Sequence, residues 1–137
     1  MLIHVTSVLT VLTMALALGA CATGPLLTCL PGETPAVLDT AYFGTAETTR
    51  AVTMTEWREF IDSVVTPRFQ DGLTSWQASG QWRSAGVVKR EVSHILRIVH
   101  PDDERSELAF REIISRYKAR FQQETVLRVR SLSCMSL

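Results

Sequence analysis

The sequence predicts an α+β domain of ferredoxin-like type, a four-stranded antiparallel sheet that carries two helices on one of its faces. Two observations lead to this fold class. Strand-like and helix-like segments follow one another in the order βαββαβ, and each helical segment has one apolar stripe. The chain of 137 residues, 46% of them hydrophobic, is long enough for one such domain and hardly for two.

The first half of the domain contributes a strand and a helix. Residues 38–46 are rich in Thr, Tyr and Phe, which favours a strand. Thr53 and Glu56 have the spacing of a capping box at the start of a helix. The apolar residues that follow recur with helical period: Trp57, Phe60, Ile61, Val64 and Val65. Pro67 is expected to end this helix.

The second half contributes a hairpin, a helix and a last strand. Residues 73–83 and 87–99 are predicted to pair antiparallel through a three-residue loop that ends in Gly86. Pro101 and three acids then mark a helix N-terminus. The buried stripe of this second helix is predicted to be Phe110, Ile113, Ile114, Tyr117 and Phe121. Residues 125–133 form the last predicted strand.

Alternation along the strands assigns side chains to the two faces of the predicted sheet. The set expected beneath the helices is Trp76, Ala78, Trp82, Val88, Val92, Leu96, Ile98, Leu127 and Val129. The opposite set is polar and comprises Gln77, Ser79, Gln81, Glu91, Ser93, Arg97, Arg128 and Arg130. The face of the sheet that no helix covers is therefore predicted to be polar.

This polar face is the main candidate for a binding site. Arg97, Arg128 and Arg130 could converge on an anion, and Glu91 could orient one guanidinium group. Tyr42 could add an aromatic contact from the first strand. Three interpretations stay open: a solvated surface, which is the commonest role of such residues, an interface with a protein or a second copy, and a small-ligand site.

Motifs for catalysis, metals and cofactors are absent from the sequence. His94 and His100 stand about 20 Å apart on one strand, too far to share a metal ion. His94 is expected to be an interior histidine with satisfied hydrogen bonds. The alternative to a binding module is a small-molecule enzyme of the dimeric ferredoxin-like type, in which two sheets pack face to face. Its apolar pocket between sheet and helices would lie near Trp76, Trp82 and His94. We expect no cofactor and no metal.

Arg68 is a further candidate for the binding site. The segment Thr66-Pro-Arg-Phe69 forms a rigid exit from the first helix and directs Arg68 towards the start of the second strand. The simpler role is that of a cation at a helix C-terminus, which is favourable there by about 0.3–1 kcal/mol.

The overall charge argues against a nucleic-acid partner. The chain has 14 basic and 14 acidic residues and therefore zero net charge, whereas nucleic-acid-binding proteins usually carry a basic surface.

The N-terminal segment predicts export to the bacterial envelope. No Lys or Arg precedes Arg50, and residues 5–20 form an apolar targeting segment. This segment ends in Leu18-Gly19-Ala20-Cys21, which resembles the lipobox of bacterial lipoproteins. The resemblance implies a signal peptide over residues 1–20 and acylation of Cys21, for example with palmitate.

The resemblance also implies a location. Ala22 after the modified cysteine favours the outer membrane, with the domain facing the periplasm. Residues 21–37 then serve as a Pro- and Gly-rich tether before a domain over residues 38–137. The alternative is an uncleaved transmembrane helix, since the apolar segment is about long enough to span a bilayer.

The cysteines agree with an oxidising compartment. With Cys21 acylated, Cys29 and Cys134 remain, one before the domain and one near its end. An even pair in an exported protein predicts a disulfide bond. Two unpaired thiols are the alternative.

Seven short motifs along the domain resemble one known family. They are Asp39-Thr-Ala-Tyr-Phe-Gly44, Thr66-Pro-Arg-Phe69, Asp71-Gly-Leu-Thr74, Gly80-Gln-Trp-Arg83, Arg90-Glu91, His100-Pro-Asp102 and Val126-Leu-Arg-Val129. In this order they resemble the uncharacterised bacterial lipoproteins catalogued as domain of unknown function 3574. The resemblance covers residues 38–137 and implies boundaries and location but no chemistry. The predicted function is thus an envelope module that binds a partner protein, a copy of itself or an envelope component.

Overall fold

The computed structural model describes residues 27–45 and 51–137. The strands form one antiparallel sheet in the order β2-β3-β1-β4. Both helices pack on the same side of it, so the fold is the predicted ferredoxin-like one. The elements are β1 (Thr34–Gly44), α1 (Met54–Phe60), β2 (Thr74–Ser84), β3 (Val87–His100), α2 (Glu104–Phe121) and β4 (Leu127–Met135).

In the structure β1 begins inside the segment that the sequence predicts as a tether, and one loop is shorter than predicted. β1 begins at Thr34, before the predicted start of the strand, because Thr34 pairs with Met135 of β4. The loop between β2 and β3 has two residues rather than three, since Ser84 pairs directly with Val87. Both loop residues, Ala85 and Gly86, have positive φ, as a tight hairpin turn requires.

The capping box at the start of α1 is present. The backbone N–H of Glu56 donates to the Thr53 hydroxyl at 3.3 Å, and the backbone N–H of Thr53 donates to the Glu56 carboxylate at 2.9 Å. Beyond Phe60 the helix widens into a π-helical turn over Ile61–Val65, with the N–H of Thr66 donating to the carbonyl of Ile61.

An aromatic cluster forms the core between the sheet and the helices. Phe43 of β1 lies at its centre, with its ring centroid 5.2 Å from that of Trp57 and 4.6 Å from that of Tyr117. The buried core comprises Ala41, Phe43, Val52, Trp57, Phe60, Val64, Val65, Phe69, Leu96, Ile98, Phe110, Ile113, Tyr117 and Phe121. The predicted stripes of both helices are therefore buried, with Ile61 and Ile114 at the margin.

The predicted side-chain orientation is correct for β3 and wrong for β2 and β4. Leu96 and Ile98 of β3 face the helices, as predicted. In β2, the Trp57 indole N–H donates a hydrogen bond to the Ser75 hydroxyl beneath α1, so Ser75 faces the helices. The residues that alternate with Ser75 along the strand point to the uncovered face: Trp76, Ala78, Gly80 and Trp82. Gln77, Ser79 and Gln81 accordingly lie on the helix side.

The same reversal occurs in β4. Arg128 and Arg130 contact Glu107 of α2, so they lie on the helix side. Leu127 and Val129 lie on the uncovered face instead. The physical reason is that both are edge strands, and at the margin of the helix layer polar side chains fill the covered side.

β2 and β3 extend beyond the rest of the sheet. β1 pairs with β3 only as far as Gly44, which lies opposite Ser93, whereas β2 and β3 continue to pair up to the turn. We call this two-stranded extension, residues 79–92, the hairpin arm. Val88 and Val92 point to the same side of the sheet as the helices. They remain 45% and 42% exposed because they lie in this arm.

A disulfide bond joins Cys29 to Cys134, with Cα atoms 5.6 Å apart. It links the segment before β1 to the end of β4. The predicted signal peptide and Cys21 lie outside the described residues. In the described part of the chain, neither helix is long and apolar enough to cross a membrane.

Candidate functional site

The face of the sheet opposite the helices, which we call the open face, is lined mainly by apolar side chains. Its large exposed members are between 40% and 63% exposed: Tyr42, Trp76, Trp82, Val87, Val99, Leu127 and Val129. This differs from the polar face that the sequence predicts, because the orientations of β2 and β4 are reversed. Ile95 also points to this face but is only 3% exposed, so its neighbours cover it and the face has no hollow there.

Two cations lie over the tryptophans of the open face. The Arg97 guanidinium carbon is 5.5 Å from the Trp76 ring centroid, and Lys89 Nζ is 5.5 Å from that of Trp82. Arg97 also donates weakly to the Thr40 hydroxyl, at 3.4 Å. Aromatic rings under exposed cations give this face both apolar area and positive charge.

Three of the predicted binding residues do lie on this face. Tyr42 and Arg97 are exposed near its middle. Glu91 lies beside Gly44, where a β-carbon would come within 3.0 Å of its carboxylate.

Arg128 and Arg130 are not part of this face, and the prediction that they join Arg97 around an anion is wrong. Arg128 donates to both carboxylate oxygens of Asp39, at 2.7 and 2.5 Å, and to both oxygens of Glu107, at 3.0 and 2.7 Å. Arg130 donates to Glu107 at 2.7 Å and to Asp102. These acids occupy the guanidinium donors, so Arg128 holds β1, β4 and α2 together.

The electrostatics of this network follow from its contacts. Hydrogen bonds from Arg128 and then Arg111 lower the pKa of Glu107 from 4.5 to about 2. The hydrogen bond with Asp39, and a further one with Glu107, raise the pKa of Arg128 above its ordinary value despite partial burial. The Arg128 guanidinium also lies 4.4 Å from the Phe110 ring centroid, which links the network to the core.

Asp39 and His100 complete this network, and sequence reasoning did not select them. Asp39 is fully buried, and His100 Nε2 lies 2.9 Å from its Oδ2. The other ring nitrogen, Nδ1, lies 2.7 Å from the carbonyl oxygen of Pro101. The sequence did contain one signal for Asp39. It is an acid among apolar residues of a predicted central strand, where an unpaired buried carboxylate is costly.

Arg68 takes the simpler of its two predicted roles. It donates to the carbonyl oxygen of Val64 at 2.6 Å, near the end of the first helical segment. It also makes two hydrogen bonds to Glu112 of α2, at 2.7 and 3.1 Å. Arg68 first and Arg116 second lower the pKa of Glu112 to about 2.

His94 is buried as predicted, but its hydrogen bonds are not satisfied by the described residues. Its ring stacks on Trp57, with centroids 4.7 Å apart and planes at 6°. Neither ring nitrogen has a hydrogen-bond partner within the described part of the chain. Burial lowers the pKa of His94 from its ordinary value.

The pocket of the alternative enzyme hypothesis is not formed by its three nominated residues. Trp76 and Trp82 point away from His94, to the other side of the sheet. A cleft of about 420 Å³ lies between α1 and the start of β2; Trp76 is among the residues that line it, but Trp82 and His94 are not. Elsewhere, Cys29, Glu33 and Cys134 come together, although the two sulfurs are bonded to each other and so are not free to ligate a metal.

The model of one protein family matches residues 39–137, described as a protein of unknown function, DUF3574. The chain belongs to this family. The comparison with curated proteins finds no match. Family membership therefore agrees with the resemblance of the seven motifs and assigns no reaction to the DUF3574 domain.

Two solved structures are similar to this DUF3574 domain. A phage SAM lyase in complex with S-methyl-5'-thioadenosine has a TM-score of 0.56 at 10% identity, covering 83% of this chain and 97% of its own. CutA from Synechococcus elongatus has a TM-score of 0.49 at 9% identity, covering 72% of this chain and 80% of its own. At 10% identity the likeness to the SAM lyase concerns the fold alone.

Proposed function

We propose that this chain is a lipid-anchored binding module of the bacterial envelope, whose open face packs against an apolar surface of an envelope protein. The exposed apolar patch on that face carries the proposal. Soluble monomers rarely expose large contiguous apolar patches unless these bind something. Here Tyr42 and both tryptophans of β2 share the patch with Leu127 and Val129.

The dimensions of the open face suit a protein partner. Four strands about 4.8 Å apart and about nine residues long give a surface of roughly 19 Å by 30 Å. That area is of the same order as the roughly 800 Å² that each partner buries in an ordinary protein interface. Trp, Tyr and Arg, the residue types that most often dominate binding energy, are all present on it.

The charges on the face specify the chemistry of the partner. Lys89 and Arg97 lie over the tryptophans, with Glu91 as the acid nearby. A complementary surface would be apolar at its centre and would present carboxylates opposite the two cations. Such charge complementarity mainly contributes specificity and association rate, whereas the buried rings contribute most of the affinity.

The proposed location rests on the N-terminal sequence. The motif ending at Cys21, after a segment without charged side chains, supports lipid modification. A disulfide between Cys29 and Cys134 suits an exported domain, because such bonds persist in oxidising compartments. Ala22 supports attachment to the outer membrane on its periplasmic side.

Two matched leucines test the proposal. Leu127 is 62% exposed on the open face, and Leu108 is 58% exposed on α2, on the other side of the molecule. The full chain with a photo-crosslinking residue at either position is expressed in cells and irradiated. We expect one envelope protein to be captured from position 127 and not from position 108.

The corresponding substitutions complete the experiment. Leu127→Asp should reduce recovery of that protein at least tenfold, whereas Leu108→Asp should leave recovery unchanged. Equal loss in both variants, equal retention in both, or a captured species that is only a second copy of the chain would contradict binding of an envelope protein through this face.

A further inference from the structure

Within the described residues, the hairpin arm has little cover on either of its faces. Trp82 is 47% exposed on the open-face side, and Val88 and Val92 are 45% and 42% exposed on the other side. A two-stranded ribbon by itself is at best marginally stable in water. An arm of this kind gains stability when another strand or surface packs against it.

β2 offers a free strand edge for such packing. It is an edge strand of the sheet, so its outer side has no strand partner among the described residues. Edge strands normally resist pairing through prolines, repeated charges or short length. β2 has eleven residues, no proline, and Arg83 as its one charged residue.

The sequence of β2 is nearly the same in both directions. Residues 76–82 read WQASGQW, with Ser79 at the centre. When such a strand pairs antiparallel with its own copy about a two-fold axis at Ser79, like faces like: Trp faces Trp, Gln faces Gln, and Ala faces Gly. An interface with two-fold symmetry requires this self-complementarity.

We infer that two copies of this chain pair through the outer edges of β2, antiparallel and with the two-fold axis at Ser79. The two sheets then form one continuous sheet of eight strands. Trp76 of each copy lies directly opposite Trp82 of the other, on the open-face side. The half-exposed rings gain cover, and the small residues Ala78 and Gly80 leave room for them near the axis.

The charges are compatible with this register. Arg83 of each copy lies opposite Ser75 of the other, which places the two Arg83 residues about 26 Å apart along the strand. Ser75 lines the cleft beside α1, together with Asp62 and Arg58. Arg83 of the second copy would therefore approach a carboxylate of the first.

This inference goes beyond the proposed function and can fail separately from it. The pairing uses the outer edge of β2, whereas the envelope partner is tested at Leu127 on β4, at the opposite edge of the sheet. Loss of one contact therefore leaves the other measurable.

A single cysteine at the symmetry axis provides the test. In the Ser79→Cys variant the two new thiols face each other, within the roughly 4.5–5.5 Å Cα separation of opposed antiparallel residues, which suits a disulfide. In the Gln77→Cys control, on the same strand and the same side, the two thiols would lie about 13 Å apart. The full chain is purified in detergent and oxidised, and the unsubstituted chain gives the background from its own cysteines.

We expect the unsubstituted chain to sediment as a dimer. Ser79→Cys should convert most of the protein into a disulfide-linked dimer, whereas Gln77→Cys should stay at background. A monomer at tens of micromolar would overturn the inference, and this measurement needs no substitution. Cross-linking of Ser79→Cys that does not exceed that of Gln77→Cys would also overturn it.

Discussion

Among the single residues, Asp39 constrains the domain most, because its carboxylate is fully buried. An isolated buried charge costs several kcal/mol, and only well-placed partners offset that cost. Arg128 supplies two hydrogen bonds and His100 faces the same carboxylate from β3. The stability of this part of the fold therefore depends on Arg128. The alternation of side chains along β4 predicted this residue to be a cation on the polar, uncovered face.

Arg128→Ala is predicted to reduce the free energy of unfolding by about 3–5 kcal/mol, because it leaves the Asp39 carboxylate buried without its main partner. Arg97→Ala, the matched change on the open face, should alter it by no more than about 0.5 kcal/mol. Urea unfolding of both variants measures the difference. Equal midpoints for the two arginine variants would show that the Asp39 network does not stabilise the fold as described.

At the scale of the elements, the start of α1 depends on a local signal. Thr53→Ala should destabilise the domain by about 1 kcal/mol, because the first N–H groups of the helix lose their acceptor. Thr55→Ala, two residues later on an exposed position, keeps the cap and should be close to neutral. For a domain of this size, 1 kcal/mol corresponds to a melting temperature lower by about 4–8 °C. Similar melting temperatures for both variants would contradict the capping role.

The elements also show what the sequence could predict. The order of strands and helices, the capping box and both buried helix stripes follow from local periodicity, and the structure confirms them. The faces of β2 and β4 do not follow, because alternation separates two sets of residues without saying which set is covered. In β4 the apolar set is the exposed one, since Arg128 and Arg130 are fixed beneath α2 by Glu107.

The residues of the candidate site were predicted wrongly for the same reason, because the orientations of β2 and β4 were reversed. An open face with Tyr42, Trp76 and Leu127 could be found only once the pairing partners of both edge strands were known. Asp39 and His100 meet across neighbouring strands, 61 residues apart in sequence. No local pattern contains a contact of that range.

At the scale of the whole molecule, stability should fall in two stages on acidification. The pKa of His94 is lowered from 6.5, so the unfolded chain binds a proton there more readily and stability falls below that pH. The pKa values of Glu107 and Glu112 are lowered from 4.5 to about 2, so their contribution is lost as pH falls through that lower window.

His94→Phe should remove the first stage only, because phenylalanine can stack on Trp57 without a titratable nitrogen. Urea midpoints of the parent and the variant at pH 7.5, 5.5 and 3.5 provide the measurement. The variant should lose less stability than the parent between pH 7.5 and 5.5, and it should still lose stability between pH 5.5 and 3.5, where Glu107 and Glu112 lose their contribution. An equal decline between pH 7.5 and 5.5 would mean that His94 does not cause the first stage.

The disulfide between Cys29 and Cys134 also determines what a protease can do to the domain. The bond closes a covalent ring of backbone that contains both helices, the first three strands and β4 as far as Cys134. A single cut inside the ring, for example by trypsin after the exposed Arg83 of the hairpin arm, opens the ring without releasing a fragment. The clipped protein stays in one covalent piece until a reductant separates the two products.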